Sequence, residues 1–98
     1  QASHEIDFKA RHHLDDTQLL ELFSWNAQEF EQRFQGSAIR RIGYEKWMRN
    51  IAVALGNALA ANVPSSTQIV AALQRHRDHE SELIREHVVW ALAQHSPG

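Results

Sequence analysis

The stretch YEKWMRNIAVALGN, residues 44–57, carries the clearest periodicity in the chain. Trp47, Ile51, Ala54 and Leu55, with Ala58 just beyond, recur at i, i+4, i+7, i+8 and i+11, the spacing of one apolar stripe along an amphipathic helix. Gly56-Asn57 reads as its end, because both residues tolerate the left-handed conformation that closes helices.

Moving toward the N-terminus, SAIRRIG (37–43) reads as a short connector, and Gly36-Ser37 as the stop of a preceding helix, WNAQEFEQRF (25–34). Ala27, Phe30 and Phe34 fall at helical spacing and are expected to face inward, with Ser24 as the cap. Before it, DDTQLLELF places two aspartates at the positive end of a short helix carrying Leu19, Leu20, Leu22 and Phe23. Residues 1–14 show no sustained period and read as an extended lead-in, leaving 15–98 as the helical domain. The chain opens QASHEIDF without an initiator methionine, so a piece of a longer protein is expected.

Toward the C-terminus, ALAANVPSS reads as a loop around Pro64. Ser65 or Ser66 is the expected cap of TQIVAALQRH, with Ile69, Leu73 and the alanines inside. Ser81 is the expected cap of ELIREHVVWALAQH, with Ile84, Val88, Ala91 and Leu92 as its buried stripe and Trp90 packing at the edge. No segment reads as a strand. The expectation is an all-α domain of about five short helices. The helices near 44, 66 and 82 look alike in size, and the last two, joined by the polar turn RDHES, suggest a helical-repeat unit.

The 98 residues suit one domain with a modest core, and the 43% hydrophobic and 22% charged fractions are ordinary for one. No apolar run approaches the roughly 20 residues that cross a bilayer, and no basic start leads into an apolar stretch in the manner of a signal peptide. The absence of cysteine removes disulfides, thiolate metal sites and cysteine nucleophiles, and fits a reducing compartment.

Charge is uneven. The net is −2 overall, −5 over residues 1–32, +4 over 33–49 and −1 over 50–98. The basic block holds Arg33, Arg40, Arg41, Lys46 and Arg49 against Glu45 alone. Arg40 and Arg41 sit in the connector, while Lys46 and Arg49 lie three apart and share a helix face. Two readings are open. Arginines beside the start of a helix suit phosphate oxygens. Alternatively, Arg40 and Arg49 pair with Glu29, Glu31, Glu45 or the negative lead-in and knit the fold. Asn50, beside the buried stripe, is expected to tie down the connector.

Other candidate chemistry is thin. His12-His13 and His76 with His79 are possible metal ligands without a third partner in sequence reach, and HESELIREH lacks the i, i+4 spacing of the zinc-protease motif. Asp15-Asp16 and Glu82-Glu86 have no evident cleft, and capping explains them better. Gly36, Gly43 and Gly56 are too scattered for a phosphate loop. Trp47 and Trp90 are read as core. Trp25 is either a clamp at a helix entrance or an exposed aromatic.

FQGSAIRRIGYEKWMRNIAVALGN, followed by SELIREHVVWALAQ, resembles the C-terminal region of bacterial epoxyqueuosine reductase, over roughly residues 14–96. The family form is G-S-P-I-(K/R)-R, a helix with L-R-N and A-L-G-N, then (V/I)-R-E-H and W-A-L. Asp7-Phe8-Lys9-Ala10-Arg11 is similar to the segment after that family's last cluster-binding cysteine. Ala38 replaces the usual proline, and Met48 a common leucine. The resemblance implies a HEAT-like accessory domain of a cytoplasmic oxidoreductase that reduces epoxyqueuosine to queuosine in tRNA, using cobalamin and two [4Fe–4S] clusters. It implies no cofactor and no catalytic residue in this segment. The implied partners are tRNA and the upstream catalytic, iron–sulfur part of the same chain, with no membrane. The resemblance extends to Arg40, Arg41 and Arg49 only as members of the family's basic motif; the expectation that Arg40, Arg41, Lys46 and Arg49 contact nucleic acid is read from the charge pattern. A purely structural helical module is the alternative.

Overall fold

The computed structural model describes residues 15–95. The expected lead-in 1–14, with His12-His13 and the Asp7–Arg11 stretch, lies outside the described residues, as do residues 96–98. Among the described residues the chain is all-α, with five α-helices and no strand. They are α1 (Asp16–Phe23), α2 (Ala27–Arg33), α3 (Tyr44–Ala60), α4 (Ser66–Arg75) and α5 (Glu82–Ala93), with a 3₁₀ helix (Ala38–Ile42) between α2 and α3.

α1, α2 and α5 begin at side-chain acceptors, though not always the expected ones, whereas α3 and α4 have no side-chain cap. Asp15 caps α1 in a reciprocal box with Gln18, at 2.8 and 3.0 Å. Asn26, not Ser24, caps α2. Its Oδ1 accepts from the Glu29 N–H at 2.8 Å, and Glu29 Oε1 returns the bond to the Asn26 N–H at 3.0 Å. Ser24 ends α1 instead, its hydroxyl donating to the Glu21 carbonyl at 2.6 Å. Phe30 is buried as expected, but Ala27, now the first residue of α2, is exposed. Ser81 caps α5 as expected, accepting from the Ile84 N–H at 3.3 Å. Neither Ser65 nor Ser66 caps α4 through its side chain. The Ser66 hydroxyl donates backward to the Val63 carbonyl at 2.7 Å.

The main departure lies in α3. It does not stop at Gly56-Asn57 but runs on to Ala60, and the left-handed residue is Asn62, with φ 56°. At 17 residues it is longer than α4 (10) or α5 (12), so the three are not alike in size. Its buried set is Trp47, Met48, Ile51, Ala52, Leu55, Gly56 and Leu59. That is a wider band than the expected stripe: Ala54 and Ala58 sit at its margin, half-buried. The band is broad because α3 touches every other element, with α5 as its most extensive partner.

Gly56 is glycine for reasons of space. A Cβ there would lie 2.6 Å from the Trp90 ring and 3.0 Å from both Cα and Cβ of Ala91. The missing side chain lets α3 and α5 approach closely, so a residue that reads as a terminator is a contact point inside the helix. Trp90 leans over this point yet remains 41% exposed, so it is an edge residue and not part of the core. In α4, Ile69, Ala72 and Leu73 are buried, whereas Ala71 faces solvent.

Gly56→Ala is therefore expected to destabilise the chain by about 1–2 kcal/mol. The overpacking against Ala91 outweighs the roughly 1 kcal/mol of helix propensity that alanine gains. Urea denaturation of the variant beside wild type checks this; a variant at least as stable as wild type would mean that the α3–α5 contact yields freely.

Candidate nucleic-acid interface

The basic junction is built from local geometry. Gly36 (φ 79°) and Gly43 (φ 90°) bracket the 3₁₀ helix. A Cβ at either position would meet nothing within 4 Å, so backbone conformation, not space, calls for glycine. Ser37 Oγ accepts from the Ile39 N–H at 3.1 Å and opens the turn. The Arg40 N–H donates to the Ser37 carbonyl, and the Gly43 N–H to the Arg40 carbonyl, each at 3.2 Å. Ile39, 3% exposed, pins the turn to the core. With three residues per turn, burying Ile39 leaves Arg40 and Arg41 pointing outward in different directions. The stretch read as a connector is thus an ordered platform for two arginines.

Both arginines are exposed and line one open depression with Glu31, Gly36, Ser37 and Ala38. Arg40 Nε donates to Glu31 Oε1 at 2.6 Å, and the two side chains are 53% and 49% exposed. Arg41 makes no side-chain hydrogen bond or ion pair among the described residues. Lys46 is exposed on the first turns of α3, and neither it nor Arg49 belongs to the lining. Arg49 is half-buried, and its Nε and Nη2 donate to Asn50 Oδ1 at 3.3 and 3.1 Å. Asn50 therefore holds the neighbouring guanidinium and not the connector. Of the acidic residues considered for Arg40, it is Glu31 that pairs with it, while Glu29 is engaged in the α2 capping box.

Aromatic rings support the platform from below. Trp25 is half-buried and stacks on Trp47, with centroids 5.4 Å apart and planes at 23°. The Arg33 guanidinium sits 4.8 Å from the Trp25 ring centre, so this arginine is drawn into a cation–π contact. Trp25 is a clamp. Phe30, Phe34 and Tyr44 close around Trp47 at 5.1 to 6.4 Å. The buried Trp47 Nε1 has no hydrogen-bond partner among the described residues. The Tyr44 hydroxyl donates to the Trp25 carbonyl at 2.7 Å and ties the start of α3 to the start of α2.

His76 and His79 do come together, with ring centres 5.8 Å apart. Their hydrogen bonds disfavour a metal role. His79 Nδ1 accepts from the Ser81 N–H at 2.9 Å, which uses that lone pair and places the proton on Nε2. Among the described residues, no three His, Cys, Asp or Glu side chains are grouped to hold a metal ion. His76 lies edge-on to Phe23, at 4.5 Å. Burial, and then the nearby His79, lower its pKa below 6.5; a backbone hydrogen bond at Phe23 opposes the shift, and Arg75 adds slightly to it.

A histidine whose pKa is lowered by folding takes up its proton more readily in the unfolded chain. Stability is then full above pH 6.5 and declines as pH falls below it. Unfolding free energy measured between pH 7.5 and pH 5 should fall with acid, and His76→Phe should flatten that slope. An unchanged slope in the variant would assign the dependence to other groups.

No protein-family model matches the chain, and no solved structure does. Sequence relatives do. The chain is 54% identical over 99 residues to the epoxyqueuosine reductase of Burkholderia pseudomallei, covering 94% of the chain and 24% of that protein. It is 53% identical over 95 residues to that of Xanthomonas campestris, covering 97% and 25%. It is 47% identical over 94 residues to that of Escherichia coli, covering 96% and 23%. The chain spans about a quarter of the length of these curated relatives. Identity near one half across almost all of its residues makes the chain homologous to a quarter-length segment of the epoxyqueuosine reductases.

Proposed function

We propose that the chain is the HEAT-like accessory domain of a cytoplasmic epoxyqueuosine reductase, helping to hold tRNA through its basic junction while packing on the catalytic part. The observation that carries this reading is the pair Arg40 and Arg41, solvent-facing on an ordered turn. Arginines fixed in this way suit phosphate oxygens, and a tRNA surface presents many of them. Lys46 and Arg49 extend the same charge along α3. Arg49 contributes less, because its guanidinium already donates to Asn50.

Packing on a larger neighbour has its own support. Val89 and Trp90 are 51% and 41% exposed on α5, an apolar face of the kind that a partner covers. The α4–α5 pair, joined by a short polar turn, suits stacking against a further helical unit. No helix among the described residues is long and apolar enough to cross a membrane.

The relatives' name implies redox chemistry, for which the resemblance invokes cobalamin and two [4Fe–4S] clusters. This chain does not fit them as a holder: it has no cysteine to supply thiolate ligands. Its part in the reaction is to position substrate, and catalysis belongs to other parts of the longer protein.

The rival reading, a structural module without RNA contact, draws support from the Arg40–Glu31 pair. Binding of tRNA to wild type and to Arg40→Ala/Arg41→Ala at two salt concentrations separates the two. The expected result is weak binding that falls with salt and is lost in the double variant. Lys46→Ala should weaken it more mildly, with the salt slope shallower by about one. No binding, or binding indifferent to the double substitution, would leave the arginines to the fold's own ion pairs.

A further inference from the structure

Glu31 is the anionic wall of the depression that Arg40 and Arg41 share. It comes from the last turns of α2 and reaches nine residues along the chain to Arg40. The bond uses Oε1 and the guanidinium Nε, and the two terminal nitrogens of Arg40 take no part in it. Half of each side chain is open to water, and the pair is not locked by packing.

We propose that Glu31 is a built-in competitor for phosphate: its carboxylate occupies Arg40 in the free chain and must be displaced, or tolerated at a cost, when a nucleic-acid backbone enters the depression. This rests on the RNA-binding reading above and adds a regulator to the same site. A carboxylate and a phosphate oxygen make the same kind of charge-assisted bond to a guanidinium, so the two compete for one donor set. A phosphate placed between Arg40 and Arg41 lies beside the Glu31 charge and is repelled by it. The opposite role, in which Glu31 steadies Arg40 for RNA, calls for a buried, rigid carboxylate, and this one is 49% exposed. An exposed pair is also weak enough to open readily. The depression thus offers two cations and one anion, and its grip is set below what its arginines alone would give.

The test compares tRNA binding at about 50 mM salt, where phosphate contacts are strong, for wild type, Glu31→Gln, Glu86→Gln and Arg40→Ala/Arg41→Ala. Glu86, exposed on α5, controls for net charge alone. The expected result is that Glu31→Gln binds about two- to fivefold more tightly, the size of one exposed ion pair. Glu86→Gln should match wild type, and the Glu31→Gln gain should vanish on an Arg40→Ala background. Thermal unfolding of each variant confirms that the fold is kept. If Glu31→Gln binds as wild type or more weakly, or if Glu86→Gln gains as much, competition is overturned; the RNA reading survives if the double arginine variant still loses binding. If no variant binds, both fall together. If wild type fails to bind and Glu31→Gln succeeds, masking by Glu31 is supported directly.

Discussion

The α3–α5 crossing at Gly56 is the constraint on which the rest of the structure depends. One side of α3 lies so close to α5 that even a Cβ at that position would press on Trp90 and Ala91. Fixing this crossing sets the direction of α3, and α3 is the element that every other one touches. Its fully buried Trp47, Met48, Ile51, Leu55 and Leu59 each contribute burial worth about 1.5–3 kcal/mol. The chain therefore has a single spine, and short helices that would be marginal alone gain their stability by docking on it.

The two ends of that spine serve different purposes. Beyond its middle, α3 packs on α5 and α4 as ordinary helical layers. At its N-terminal end it meets an aromatic cluster in which Trp47 is the hub and Trp25, Phe30, Phe34 and Tyr44 are the rim. This cluster fixes α2 against the start of α3, and so fixes both ends of the 3₁₀ turn between them. Interlocked rings leave little freedom to a short bridge whose two glycines have defined positive φ values. The arginines are thus carried on a rigid base, while their side chains stay in water.

Electrostatics at this junction are shallow by design of exposure. An ion pair half in solvent is worth on the order of 0–1 kcal/mol, far less than the packing beneath it. The fold does not need the Arg40–Glu31 pair, which leaves the charges available to other partners. The Arg33–Trp25 and Arg49–Asn50 contacts differ in kind, since each engages its guanidinium with a half-buried group. Of five cations in the basic block, only some are free to act outward, and sequence spacing does not distinguish them.

The sequence by itself determined the all-helical class, the number of helices and most core positions. Those follow from local physics: apolar residues at helical spacing, Asp15 and Ser81 at helix starts, and no β-like alternation. It also determined that positive charge gathers between residues 33 and 49. Tertiary structure decided what local signals left ambiguous. Gly56 has the chemistry of a terminator, but α5 lies where a Cβ would go, and helix packing overrode the signal. Ser24 and Asn26 are both competent caps, and in the folded chain Ser24 closes α1 while Asn26 opens α2 in a reciprocal box with Glu29. Whether Arg40 meets Glu29, Glu31 or Glu45 depends on the turn geometry between two positive-φ glycines, which no periodicity encodes. Trp90 shares its helix with the core yet stays at the surface, because the close approach at Gly56 leaves its ring outside the crossing.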